Sequence, residues 1–159
     1  MEIKEKVQSA FREFLKRDVH LLKVKANERS ITHRFAIYIE DQFPGFNVDC
    51  EYNRKGLDPK RLDAFRKQVS SDDEKGVTVF PDVVVHHRGT SKNHLVIKAK
   101  LSSNHQECAN SNTCRCDRCK LRAYKTDLGY AHAFYIVFPV SDELAGFSDA
   151  KLADYVTEI

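Results

Sequence analysis

Residues 80 to 100, "FPDVVVHHRGTSKNHLVIKAK", carry one carboxylate, Asp82, and then, sixteen and eighteen positions later on a second apolar run, two ammonium groups, Lys98 and Lys100. Two runs rich in β-branched residues joined by "GTSKN" read as a hairpin. Side chains alternate along a strand, so Lys98 and Lys100 share a face with Val96 and Ser102. With the turn centred near Thr90 and Ser91, cross-strand partners sum to about 181, which sets Asp82 opposite Ala99 and within one pleat of both lysines. Pro81 cannot donate to a ladder and predicts an edge or a bulge just before the aspartate, turning it toward them. One carboxylate between two lysines has two chemical readings. It is an internal ion pair on a sheet, or the remains of a metal site in which carboxylates hold a divalent cation and a lysine orients or deprotonates water.

The flanking segments must position this hairpin. "EIKEKVQSAFREFLKRDVHLLKVKA" puts Val7, Ala10, Phe11, Phe14 and Leu15 at helical spacing, with a break near Asp18. Asn27 is an N-cap for "ERSITHRFAIYIEDQF", whose Ile31, Phe35, Ile39 and Phe43 form one stripe before Pro44-Gly45 ends the helix. "FNVDCEYNR" alternates, with Val48, Cys50 and Tyr52 on one face and Asp49, Glu51 and Asn53 on the other, as in a half-buried strand. Residues 55 to 76 are charged and turn-rich, a surface connection with a short helix at 59 to 69. After the hairpin, "CDRCKLRAYKTDLG" reads as a helix with Leu121, Tyr124 and Leu128 inward and Gly129 as its stop. "AHAFYIVFPV" is a strand covered on both faces, and "SDAKLADYVTEI" reads as a last helix capped by Ser148. The order predicts an α/β fold, a three-layer sandwich with a central mixed β-sheet flanked by helices. A single domain spans 1–159: an N-terminal helical segment at 1–26, a core at 27–140, a Cys-rich loop at 104–119 and a C-terminal helix at 141–159.

With 42% apolar and 31% charged residues among 159, the composition is that of a soluble domain large enough to bury a core. No apolar run approaches the ~18 residues of a membrane helix, and the first residues lack the apolar core of a secretory signal, so a cytoplasmic address is expected. The net charge of +3 is unevenly spread. Residues 86 to 126 hold nine Lys/Arg against two Asp/Glu, and residues 1 to 34 nine against five, whereas the remaining segments are acidic. That is the footprint of a polyanion partner, or of a basic face that is merely solvated.

Taken together, these elements resemble the PD-(D/E)XK, or restriction-endonuclease-like, nuclease superfamily. Its core is a helix bearing a glutamate, a strand, a strand ending in Pro-Asp, a strand bearing acid-x-Lys, a helix and another strand. Pro81-Asp82 match the first motif, Lys100 the lysine of the second and Glu28 the helical glutamate. "KLRAY", Lys120 to Tyr124, is similar to the Gln-Leu-x-x-Tyr helix of RecB-type nucleases, with Lys120 in place of glutamine. The resemblance covers residues 27 to 140. It implies a restriction-endonuclease-like core and hydrolysis of a phosphodiester in DNA or RNA with Mg²⁺ or Mn²⁺, Asp82 being a metal ligand and Lys100 supporting the attacking water. It also implies contacts to nucleic acid from Lys120, Tyr124 and Arg122 on the helix and from Arg88, salt-dependent and independent of base sequence.

The departure is at position 98. The superfamily has a second carboxylate there, whereas this chain has Lys98. Repulsion between an ammonium and a unit positive charge ~4 Å away is about 4 kcal/mol at an effective dielectric of 20, and double that for a divalent ion. Three accounts follow: Lys98 replaces a glutamate and switches the chemistry off; its ammonium occupies the cation position and pairs with Asp82, leaving a non-catalytic nucleic-acid binder; or an acid has migrated, Glu51 and Glu28 being the candidates.

"HQECANSNTCRCDRC" adds Cys108, Cys114, Cys116 and Cys119, which could close a tetrahedral Zn²⁺ site or stand as thiols. Cys50 reads as a small core residue. His86, on the Asp82 side of its strand by alternation, reads as a satisfied strand histidine or a phosphate contact. The functional expectation is a metal-dependent nuclease impaired by Lys98; the alternatives are a non-catalytic nucleic-acid-binding or regulatory module on the same fold and a zinc-stabilised protein-interaction domain.

Overall fold

A computed structural model describes residues 1–55, 58–59, 61–62, 77–78, 80–104 and 117–159. The chain opens with α1 (Ile3–Lys23), interrupted at Asp18, whose φ of −124° leaves the helical region. There the Asp18 carboxylate accepts from Arg34 Nε at 2.8 Å and from the Tyr38 hydroxyl, so the break is held by the next helix. Asn27 caps that helix, α2 (Glu28–Gln42), by accepting from the Ser30 amide at 2.8 Å. Then come β1 (Asn47–Cys50), four two-residue strands, β2 (Arg54–Lys55), β3 (Asp58–Pro59), β4 (Arg61–Leu62) and β5 (Val77–Thr78), and β6 (Val83–His86) and β7 (Asn93–Leu101). The chain closes with α3 (Asp117–Leu128), β8 (His132–Phe138), α4 (Asp142–Ala145), α5 (Leu152–Tyr155) and β9 (Val156–Glu158).

Five strands form one sheet in the order β1-β6-β7-β8-β9, antiparallel throughout except where α3 carries the chain from β7 to a parallel β8. The sheet is therefore mixed, as expected. Alternation along β6, β7 and β8 divides its side chains between two layers. Val83, Val85, Leu95, Ile97, Phe134 and Phe138 meet Phe11, Phe14, Ile31 and Phe35 of α1 and α2. Val84, Val96, Ala133, Tyr135 and Val137 meet Leu121, Tyr124 and Leu128 of α3. Each such side chain withdrawn from water contributes about 1.5–3 kcal/mol, and two faces so buried fix which side chains of β7 point toward α3. Among the described residues no helix is long and apolar enough to cross a membrane.

Five expectations are corrected. The hairpin closes earlier than the sequence implies: Gly89, at φ +71°, lets the chain turn between His87 and Lys92, and the register shifts just before the turn, between Val85 and His86. Val83 thus pairs with Ile97, placing Asp82 level with Lys98 rather than Ala99. Pro81 lies two residues before β6; the amide of Asp82 donates to the Ile97 carbonyl at 3.2 Å without a bulge there. On β1 the alternation stops at Glu51, whose φ of +50° rotates the chain, so Tyr52 packs on the α3 side while Val48 and Cys50 pack on the α1–α2 side. Finally, the C-terminal helix from Ser148 is a short 3₁₀ turn at Asp149–Lys151 and one turn of α5. The Ser148 side chain makes no cap bond, and "VTE" becomes β9 because the outer edge of β8 offers unpaired backbone. The helix expected at 59 to 69 is contradicted at its start, where Asp58–Pro59 and Arg61–Leu62 are paired strands; the residue before a proline disfavours helix. The rest of that helix lies outside the described residues.

Candidate functional site

Three element ends converge beside β7. The residue just before β6 is Asp82, the last residues of β7 supply Lys98 and Lys100, and the first turns of α2 and α3 supply Glu28 and Asp117. The location follows from topology: where parallel strands are joined through a helix, helix starts and strand carboxyl ends gather at one rim of the sheet. Helix dipoles favour the two acids that open α2 and α3.

Asp82 is held on both oxygens. Lys98 Nζ donates to Oδ1 at 2.9 Å and the Ala99 amide to Oδ2 at 2.7 Å. The two side chains retain only 12% and 20% of their exposure, so the pair is shielded from water. Burial pushes the Asp82 carboxyl above the ordinary aspartate range, against the opposing pull of the Lys98 ammonium and the Ala99 amide. Lys100 Nζ donates to Glu28 Oε1 at 3.2 Å and lies 3.8 Å from Asp117 Oδ2. Burial pulls the Lys100 ammonium down, but the Glu28 hydrogen bond and the charges of Asp117, Glu28 and Asp82 leave it above its ordinary value, so it is a charged donor and not a free base.

A cavity of about 640 Å³ opens on this rim, lined by Asn27, Glu28, Arg29, His33, Cys50, Glu51 and Asp82 among others. Glu51 reaches the wall but not the lysines. Its Oε1 accepts from Arg29 Nε at 3.0 Å, so as a relocated acid it belongs to the cavity mouth. The Cys50 thiol is pushed up to about 11 by burial and by the charges of Asp49, Glu51 and Asp82, which leaves it protonated and a poor nucleophile.

The structure thus brings Asp82, Lys98, Lys100 and Glu28 to one rim, together with Asp117, which the sequence reading overlooked. The only signal for Asp117 was an acid opening a helix after the Cys-rich stretch. Other candidates are placed elsewhere. Tyr124 is 1% exposed in the core under α3, with burial driving its phenol far above its ordinary value, so it is no contact surface for a nucleic acid. Arg88 is committed to Asp49, its Nε donating to Oδ2 at 2.8 Å. Lys120 lies 3.6 Å from Asp117 Oδ1 at the outer side of the cluster, and Arg122 is exposed on α3. His86 is buried with Nε2 2.8 Å from Asp49 Oδ2, the satisfied strand histidine of the two readings. Cys108, Cys114 and Cys116 lie outside the described residues; Cys119 is half-buried on α3.

Magnesium does not fit this donor set. It requires oxygen ligands at about 2.0–2.1 Å in octahedral array, and the Lys98 ammonium sits against the Asp82 oxygen that would face it. Among the described residues no group of three His, Cys, Asp or Glu side chains is arranged to hold a metal. Comparison with protein-family models, curated proteins and solved structures finds no match to this chain.

Proposed function

We propose that this chain is a nucleic-acid-binding scaffold of the PD-(D/E)XK nuclease kind in which Lys98 holds phosphodiester hydrolysis off. The observation that carries the reading is the ion pair itself, Lys98 Nζ to Asp82 Oδ1 at 2.9 Å. It lies where the resemblance puts metal and paired carboxylates. The order α2-β1-β6-β7-α3-β8, with Glu28, Asp82 and Lys100 meeting at one rim, supports a restriction-endonuclease-like core. Nucleic acid would be engaged by charge, with Lys120 and Arg122 of α3 offering phosphate contacts. The cytoplasmic address belongs with this reading.

The test is cleavage. Labelled single- and double-stranded DNA and RNA are incubated with Mg²⁺ and either the unaltered chain or Lys98→Glu. Cutting is expected from Lys98→Glu alone, and is expected to vanish when Asp82→Ala or Lys100→Ala is added. Salt-sensitive binding with no cutting by a folded Lys98→Glu would instead select the non-catalytic binding module on the same fold, a reading favoured by the two bonds that already occupy Asp82.

A further inference from the structure

Three carboxylates and three ammonium groups interleave at the rim. Asp82 has Lys98 at 2.9 Å, Glu28 has Lys100 at 3.2 Å, and Asp117 has Lys100 at 3.8 Å and Lys120 at 3.6 Å. Every one of those acids therefore has a nitrogen cation within 4 Å. The innermost pair is the most shielded, and an unpaired charge buried there would be strongly penalised. In a metal-binding rim of this chemistry the compensating charge would come from solution. Here it is covalently attached.

We infer that the Lys98 ammonium is the resident cation of this rim: it takes, as part of the chain, the place beside Asp82 that a divalent ion would occupy, and makes the carboxylate cluster indifferent to metal. The inference deepens the reading above and rests on it for the kind of ion displaced. Its physical content is a substitution of one compensation for another. The ammonium donates to Asp82 Oδ1 while the Ala99 amide donates to Oδ2, so a divalent ion approaching Asp82 meets a like charge and two oxygens that each already accept a hydrogen bond. If the ammonium is removed, Asp82, Glu28 and Asp117 keep only Lys100 and Lys120 among them. A hard divalent ion then becomes the natural compensation.

The test is thermal unfolding of the full chain in EDTA and in millimolar Mg²⁺ or Ca²⁺, with Ca²⁺ titrated calorimetrically; neither measurement requires any cleavage. The unaltered chain is expected to melt at the same temperature in all three buffers and to give no heat of Ca²⁺ binding. Lys98→Glu is expected to melt about 10 °C lower in EDTA, to recover at least half of that loss with either ion, and to bind one Ca²⁺ per chain. If Lys98→Glu does not fold in EDTA, Lys98→Gln serves, because its amide still reaches toward Asp82 without charge; a smaller ion-dependent rise is expected from it. A metal-dependent rise in the unaltered chain as large as in the variants overturns the inference, as does the lack of any ion response in both variants. The two readings fail separately. A Lys98→Glu chain that binds Ca²⁺ but cuts nothing sinks the nuclease reading alone, whereas an unaltered chain that cuts nothing yet gains as much thermal stability from either ion as a cutting Lys98→Glu chain sinks this one alone.

Discussion

Glu28, the first residue of α2, grips the end of β7 with both carboxylate oxygens: Oε1 accepts from Lys100 Nζ at 3.2 Å and Oε2 from the Leu101 amide at 3.3 Å. A helix start thereby pins a strand end, and the sequence separation of more than seventy residues makes this a tertiary clamp rather than a local cap.

The two halves of that clamp should separate on mutation. Glu28 and Lys100 are each about a third exposed, so their ion pair is screened and contributes at most about 1 kcal/mol. The Leu101 amide belongs to a buried residue, and leaving it without an acceptor costs about 1–3 kcal/mol. Glu28→Gln retains an acceptor and should lose less than about 1 kcal/mol in urea denaturation, while Glu28→Ala should lose about twice as much or more. Equal losses would mean that charge alone matters and the amide contact does not.

Asp82 and Lys98 should behave as a buried pair whose members depend on each other. Asp82→Ala strands a shielded ammonium and is expected to cost about 3–5 kcal/mol. Asp82→Asn with Lys98→Met removes both charges and leaves an amide oxygen for the Ala99 amide, so the double variant should unfold within about 1 kcal/mol of the unaltered chain or above it. Denaturant unfolding of the two variants checks this, and a double variant as unstable as Asp82→Ala would contradict it.

The clamp and the pair were legible in unequal degree. Residue type and alternation were enough to put Lys98 and Lys100 on one face, because each face of β7 is buried and a slip would expose every side chain. The Asn27 cap and the Ile31–Phe35–Ile39 stripe placed Glu28 at a helix start for the same local reason. What failed was non-local or hung on one backbone angle. Gly89 moved the turn, and Glu51 at φ +50° carried Tyr52 to the opposite layer. Asp117 was hidden because only the α3 crossover brings its helix start beside Lys100. "VTEI" has ordinary helical neighbours, and only the open edge of β8, where Thr157 pairs with Tyr135, makes it a strand.

Asp49 gives an acid-limb prediction. Its hydrogen bond from Arg88 holds the carboxyl below the ordinary value of 3.8, with burial opposing and His86 assisting. The folded chain therefore releases this proton more readily than the unfolded chain. The resulting stability is fully present above the unfolded value and is lost as pH falls through the lower folded one. The stability difference between the unaltered chain and Asp49→Asn, measured in urea across the acid range, should be constant near neutrality and shrink below about pH 4. A difference that grows on acidification would reverse the assigned direction.

His94 gives the opposite charge case at the other end of β7. Its ring stacks on Phe46 at 4.6 Å between centroids, and Phe46 stacks in turn on His87 at 4.7 Å. Phe43 from beyond α2 and His132 from β8 meet it edge-on, Lys6 of α1 lies over the Phe43 ring, and Glu158 of β9 is engaged by His132 at 3.0 Å. Burial, then the charges of His132, Lys6 and His87, hold the His94 imidazole below its ordinary value of 6.5. The unfolded chain takes this proton first, so His94 should cost stability progressively as pH falls from about 6.5 through the folded value. In a proton NMR titration the His94 ring signal should shift at a midpoint below 6.5, moving upward when Lys6→Ala removes one of the nearby charges. Replacing the ring by His94→Gln should flatten the pH dependence of stability over that interval, and a His94 midpoint above 6.5 would show that its neighbours welcome the charge rather than oppose it.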